Sequence, residues 1–193
     1  MNSRKDSLER KEELMNIAME LFLSKGYEET SIKDIILQAD VAYGLFYYYF
    51  DTKEAVLVEI VQRWLNAYRA VLTNVGFFAC KNVEGAIQLF AEGSNIFMTQ
   101  FGRVIEALHM ESNGMIHNVA TKIFLKFISD AVMDIMKIGN ESGEYHLMYI
   151  EQSAKALVYG IYEAIHDDTN RFGAEKRQLD LEFIQHFLSK VLN

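Results

Sequence analysis

Not one proline occurs in 193 residues. Sheets and irregular loops normally use proline, together with glycine, at their turns. Here the 11 glycines are scattered, and the apolar residues between them recur with the helical period. Half of the residues are apolar, enough to bury a sizeable core. The pattern predicts an all-α fold of about nine helices joined by short loops.

Helical spacing runs through Leu8, Leu14, Ile17, Ala18, Leu21 and Phe22, and Gly26 is placed to end that helix in the left-handed region. The next stretch, Thr30 to Lys53, reads as two short helices joined by a tight turn and followed at once by a third. Thr30 or Ser31 caps the first of them, with Asp34 three residues beyond Ser31 as a capping-box partner. Ile32, Ile35 and Ile36 form its apolar stripe, Ala39-Asp40 makes the turn, and Val41 to Phe50 is the second short helix. Thr52 caps a long helix over 53–75. Further helical periods cover 83–101, 103–111, 116–139, 144–166 and 175–192, with breaks expected at Gly76, Gly102, Asn113-Gly114, Gly139-Asn140-Gly143 and Phe172-Gly173. The expected organisation is a three-helix unit, residues 1–53, fused to a larger helical bundle, residues 54–193.

The spacing over 30–53 fits a helix-turn-helix, whose second helix enters the major groove of DNA. If Val41, Phe46 and Phe50 point inward, then Tyr43, Gly44, Tyr47 and Tyr48 share the opposite side. Tyrosine suits a groove because its hydroxyl bonds a phosphate or base edge while its ring packs on sugar or a thymine methyl. Gly44 allows close backbone approach. Ala42, Leu45 and Tyr49 complete the candidate reading residues of this helix. Thr30, Ser31 and Lys33 at one helix start, and Lys53 at another, are candidate phosphate contacts. Against this stands the charge. The net value is −8, and residues 1–55 hold seven Lys/Arg against eleven Asp/Glu. Non-specific DNA binding should therefore be weak and salt-sensitive.

These residues carry a resemblance. Ala18, Leu21-Phe22, Gly26-Tyr27, Thr30-Ser31, Asp34-Ile35, Ala39, Val41, Gly44, Phe46-Tyr47, Tyr49-Phe50 and Lys53-Glu54 stand as they do in the N-terminal domain of the tetracycline-repressor (TetR) family, which residues 10–60 resemble. The resemblance implies a regulator that binds a double-stranded operator, a regulatory domain that takes a small-molecule effector, and a dimer formed through the last two helices. Four positions depart from the usual pattern: Ala42 replaces a small polar cap, Asp40 a turn glycine, Tyr43 a frequent lysine and Leu45 a frequent threonine.

In the remaining two thirds, aromatic and methionine residues crowd the middle. Trp64, Tyr68, Phe97, Phe101, Met110, Phe124 and Phe127 are read as the wall of an apolar ligand cavity, with Glu106 adding a preference for cations. Leu157, Gly160, Ile161 and Ala164 on one helix, with Phe183 and Phe187 on the last, form faces suited to an intermolecular four-helix bundle and so to a homodimer. Cys80 stands alone, which excludes an intrachain disulfide. His109 follows Glu106 at i+3 without a partner set, so no metal or other cofactor is expected. No catalytic triad or phosphate loop suggests an enzyme. The charged N-terminus and the lack of any 18-residue apolar run predict a cytoplasmic chain with no membrane partner. The reading is a homodimeric repressor released from a pseudo-palindromic operator by a small apolar ligand. The competing reading is a helical ligand-binding or interaction protein that no longer reads DNA.

Overall fold

The computed structural model describes residues 3–108 and 114–165. Among them lie seven α-helices and one short 3₁₀ turn: α1 Ser3–Lys25, α2 Ile32–Gln38, α3 Tyr43–Tyr49, α4 Lys53–Asn74, the 3₁₀ turn Phe77–Ala79, α5 Val83–Leu108, α6 Gly114–Ser142 and α7 Ile150–Ile165. The all-α class is as expected. The helix predicted over 175–192 lies outside the described residues.

Two expected boundaries differ. The predicted break at Gly102 is absent, and α5 runs through it. A glycine ends a helix when it takes the left-handed region, as Gly26, Gly76 and Gly143 do. Inside a helix it only weakens, by about 1 kcal/mol against alanine. The helix predicted over 144–166 begins at Ile150. The Asn140 side chain takes both polar groups of Leu147, donating to its carbonyl at 2.8 Å and accepting from its N–H at 3.0 Å. Those bonds hold 144–149 as a loop despite the apolar spacing of its residues.

The chain divides into two compact units. Among the described residues the first spans 3–80, 85–108 and 114–124. Its interior holds Leu14, Phe22, Ile35, Phe46, Val56, Leu57, Ile60, Val61, Leu72 and Phe77, all almost fully buried. Each such side chain contributes about 1.5–3 kcal/mol on burial. α4 packs against α1, and α1 against α2. At the surface Lys11 pairs with Glu59 at 3.0 Å, and Arg63 donates to Asn16 at 2.8 Å. Such exposed pairs add at most about 1 kcal/mol each. Farther along, α4 and α5 approach closely at Gly93, where a Cβ would stand 2.6 Å from Leu72 Cδ2. Among the described residues the second unit spans 81–84 and 125–165. Its core is Val132, Met136, Ala154 and Val158, with Leu125, Ile128, Met133, Leu147, Ile150 and Leu157 packed on it.

The first unit is knotted together at the turn between α1 and α2. Thr30 is 1% exposed, and its hydroxyl donates to the Gly26 carbonyl at 2.7 Å. Lys53, the first residue of α4, reaches into the same turn. Its ammonium donates to the carbonyls of Tyr27 at 2.6 Å and Thr30 at 2.8 Å, and lies 4.1 Å from the centre of the Tyr27 ring. Three elements therefore meet on one cation. α2 then starts from Ser31, whose hydroxyl accepts from the Asp34 N–H at 3.1 Å while the Asp34 carboxylate accepts from the Ser31 N–H at 2.8 Å. Lys25 at the end of α1 donates to the same carboxylate at 2.9 Å. The Lys25 bond first, then the two from Ser31, hold the Asp34 carboxyl well below the usual carboxylate range.

Lys53→Met keeps the chain length but removes the ammonium, leaving two turn carbonyls without their charged donor. Loss of such bonds amounts to about 1–3 kcal/mol, so the urea midpoint should fall with helicity retained. An unchanged midpoint would mean that the clamp contributes nothing. Asp34→Asn tests the capping box through pH. A carboxylate held below its unfolded value of about 3.9 adds stability that is complete above roughly pH 5 and is lost as pH falls through and below 4. The stability gap between wild type and Asp34→Asn should be constant above pH 5 and narrow by pH 3. A gap that does not narrow would show that the ionised carboxylate is not what stabilises α2.

Candidate nucleic-acid interface

α2, the turn after it and α3 are held in a defined relation by local chemistry. α2 ends at Ala39, and Asp40 takes the left-handed region at φ 50°. The Asp40 N–H bonds the Leu37 carbonyl and the Val41 N–H bonds the Ile36 carbonyl, both at 3.3 Å. This is the Schellman pairing that usually employs glycine, with aspartate tolerated in its place. α3 then begins after Ala42, which offers no side-chain cap. A missing cap removes about 0.5–2 kcal/mol of local stability, so α3 depends on what it packs against. That anchor is Phe46, fully buried, with Phe50 beyond the helix end also buried.

Four residues of α3 are exposed: Tyr43, Gly44, Tyr47 and Tyr48. Tyr43, Tyr47 and Tyr48 are 53%, 51% and 74% exposed. Gly44 is exposed, and a Cβ there would meet nothing within 4 Å. Ala42 is exposed and Leu45 half-buried. Their rings are not loose. Tyr47 stands edge-on to Phe46 with centroids 5.4 Å apart, and Tyr48 edge-on to Tyr49 at 4.8 Å. Ser31, the cap of α2, and Lys33 within it are exposed.

Three candidate contacts sit elsewhere than the reading face. Tyr49 turns back toward α1, its hydroxyl donating to Ser7 at 3.1 Å. The Thr30 hydroxyl and the Lys53 ammonium are committed to the α1–α2 turn. All three serve joints between segments instead of offering free groups to a duplex. Sequence reasoning passed over Leu37, which is 77% exposed at the end of α2, and its exposed neighbour Gln38. The signal was present: Leu37 lies about 100° around the helix from the stripe of Ile32, Ile35 and Ile36.

The predicted ligand-wall residues of the first unit form a stack. Tyr68 of α4 lies on Phe97 of α5 with centroids 4.5 Å apart and planes 17° apart. Phe97 stacks in turn on Phe101 at 4.7 Å and leans on Phe124 at 6.1 Å. Trp64 is buried. Tyr68, Phe97, Phe101 and Phe124 thus lie against one another in series. Phe90, another of the aromatic residues that crowd this stretch of the sequence, lies 6.4 Å from Tyr68 and 5.7 Å from Phe77 and extends the series. Sequence reasoning missed Ser94, which accepts from the Tyr68 hydroxyl and donates to the Phe90 carbonyl at 2.7 Å. Burial pushes the Tyr68 hydroxyl up to about 12, with the Ser94 bond opposing, so it stays protonated. Phe127 is buried in the second unit. The Glu106 side chain and Met110 lie outside the described residues.

Of the predicted dimer residues, Leu157 packs on the core of the second unit, Ile161 is half-buried and Gly160 is exposed on α7. The Ala164 side chain, Phe183 and Phe187 lie outside the described residues. Among the described residues no three His, Cys, Asp or Glu side chains converge to hold a metal, and no helix is long and apolar enough to cross a membrane.

Comparison with known proteins points the same way as this geometry. Residues 14–60, from the buried half of α1 into α4, match the family model of bacterial regulatory proteins of the tetR family. Over 192 residues the chain is 26% identical to the HTH-type transcriptional regulator QacR of Staphylococcus aureus, covering 93% of this chain and 96% of that one. Over 57 residues it is 37% identical to the HTH-type transcriptional repressor KstR2 of Rhodococcus jostii, covering 30% of this chain and 28% of that one. Its fold is similar to that of a protein from Syntrophomonas wolfei assigned to the TetR family, with a TM-score of 0.70 over 95% of both chains at 20% identity. The matched segment, residues 14–60, holds the capped α2, the Schellman turn and the tyrosine-bearing α3, the helix-turn-helix of the tetR family model, and over nearly its whole length the chain is similar to a transcriptional regulator that carries the same motif.

Proposed function

We propose that this protein is a homodimeric repressor that leaves its operator when a small, largely apolar molecule binds. The observation that carries the reading is the outward face of α3. Three large aromatic side chains are exposed on a seven-residue helix that is anchored by the buried Phe46. A duplex groove would cover them. The division of labour is residues 1–53 for reading and 54–193 for sensing and assembly. Ser31 and Lys33 are assigned to phosphates, and Ala42, Tyr43, Gly44, Leu45, Tyr47 and Tyr48 to the groove. Repression is named in the relative KstR2. The acidic balance of residues 1–55 favours the alternative, a helical protein that no longer reads DNA.

Release follows from how α4 is held. Lys53 ties its first residue to the α1–α2 turn, and Tyr68, about 22 Å along the helix, lies in the aromatic stack. A ligand that inserts among Tyr68, Phe97, Phe101 and Phe124 must part that stack. Parting it displaces α4, and the reading head follows through the clamp. Two heads in a two-fold dimer then lose the spacing that a pseudo-palindrome demands. For the dimer, α7 is the proposed contact. Gly160 and Tyr159 are exposed there, and a partner helix could approach closely at the glycine.

Two measurements test the reading. Sedimentation at micromolar concentration should give twice the mass of the chain, and Gly160→Glu should give a folded monomer, because a Cβ at Gly160 meets nothing within 4 Å of its own chain. A wild-type monomer would contradict the dimer. A screen of apolar aromatic compounds should yield ligands that lower operator affinity about 5–150-fold, with operator lowering ligand affinity by the same factor. Ligands that bind in the stack yet leave operator affinity unchanged would contradict release.

A further inference from the structure

The residues of α3 are tyrosine, glycine, leucine, phenylalanine and three tyrosines. None is arginine, lysine, asparagine, glutamine, aspartate or glutamate. Those are the side chains that recognise guanine, adenine or cytosine through paired or charged hydrogen bonds in the major groove. A phenolic hydroxyl offers one donor and one acceptor on the end of a flat apolar ring. Such a side chain cannot grip guanine O6 and N7 together as arginine does. What a ring does meet well in the major groove is the one apolar feature there, the C5 methyl of thymine. The exposed side chains of the motif that bear an amine, amide or carboxylate, Lys33, Gln38 and Asp40, lie on α2 and in the turn, not on α3.

The rings are also preset. Tyr47 is braced edge-on by buried Phe46, and Tyr48 by Tyr49, whose hydroxyl is fixed on Ser7. Gly44 between them leaves the backbone open to close approach. Little side-chain freedom remains to be lost on binding.

We propose that α3 reads its half-site through thymine. Tyr43, Tyr47 and Tyr48 pack on thymine methyl groups and bond A·T edges singly, and α3 makes no bidentate contact to guanine. The proposal rests on the DNA-binding reading above and specifies its substrate as duplexes with A·T-rich half-sites.

The test uses the full-length protein and a pool of random duplexes. Selected half-sites should be dominated by A·T pairs. Replacing their thymines by uracil removes only the methyl groups and should weaken binding about four-fold for each contacted methyl, the value of burying one carbon. Tyr48→Phe should keep that thymine-to-uracil ratio while lowering affinity. Tyr43→Ala, Tyr47→Ala and Tyr48→Ala should bring the ratio toward one, because each exposed ring can be lost without disturbing the core. Half-sites fixed by G·C pairs, or a uracil duplex bound as well as the thymine one, would overturn thymine reading while leaving DNA binding intact. A pool in which nothing is enriched would overturn both.

Discussion

The ammonium of Lys53 is the joint on which the first unit depends. It sits where α1 ends, α2 begins and α4 starts, and it satisfies two carbonyls of a tight turn while lying on the face of Tyr27. Turn carbonyls have few partners available, and a charged donor between two of them is roughly twice as strong as a neutral one. Thr30, buried beneath the turn, closes the remaining bond. The direction in which α2 leaves the turn is thus set relative to α4 before any ligand or DNA is present.

That joint also explains how a chain with little positive charge at its reading end can still be built to read DNA. The cations near the motif are largely used inside the protein: Lys53 on the turn, Lys25 on Asp34, Lys11 on Glu59. On the proposed reading, affinity leans less on counterion release and more on shape and aromatic contacts. The proposed release mechanism uses α4 as a lever. One end is clamped to the reading head and the other is stacked through Tyr68 on Phe97, with Gly93 letting α5 come close enough for that stack. A change at the stack has a stiff path to the turn.

Local signals were legible in the sequence. Ser31 with Asp34, Gly26, Gly76, and the alternation of Phe46 and Phe50 with Tyr47 and Tyr48 each involve neighbours within a turn or two, where periodicity and capping rules apply. Contacts between distant segments were not legible. Nothing local in Lys53 says that it will turn toward residues 27 and 30 and away from solvent, and nothing in Tyr49 says that it will find Ser7. The same limit hid the Asn140–Leu147 bonds that delay α7, and it let Gly102 pass for a break although its neighbours keep the helix going. The aromatic surplus on α4 and α5 was visible, but a surplus reads equally well as a cavity wall and as a stack. Only coordinates show the rings in mutual contact.

Nucleotide-resolution footprinting of the full-length protein on its selected duplex tests the central claim most directly. The account predicts two protected patches on one face, related by a pseudo-two-fold and centred one or more helical turns apart, each lost when α3 carries Tyr47→Ala with Tyr48→Ala. Even protection along the duplex, or a footprint that survives the loss of both rings, would contradict it.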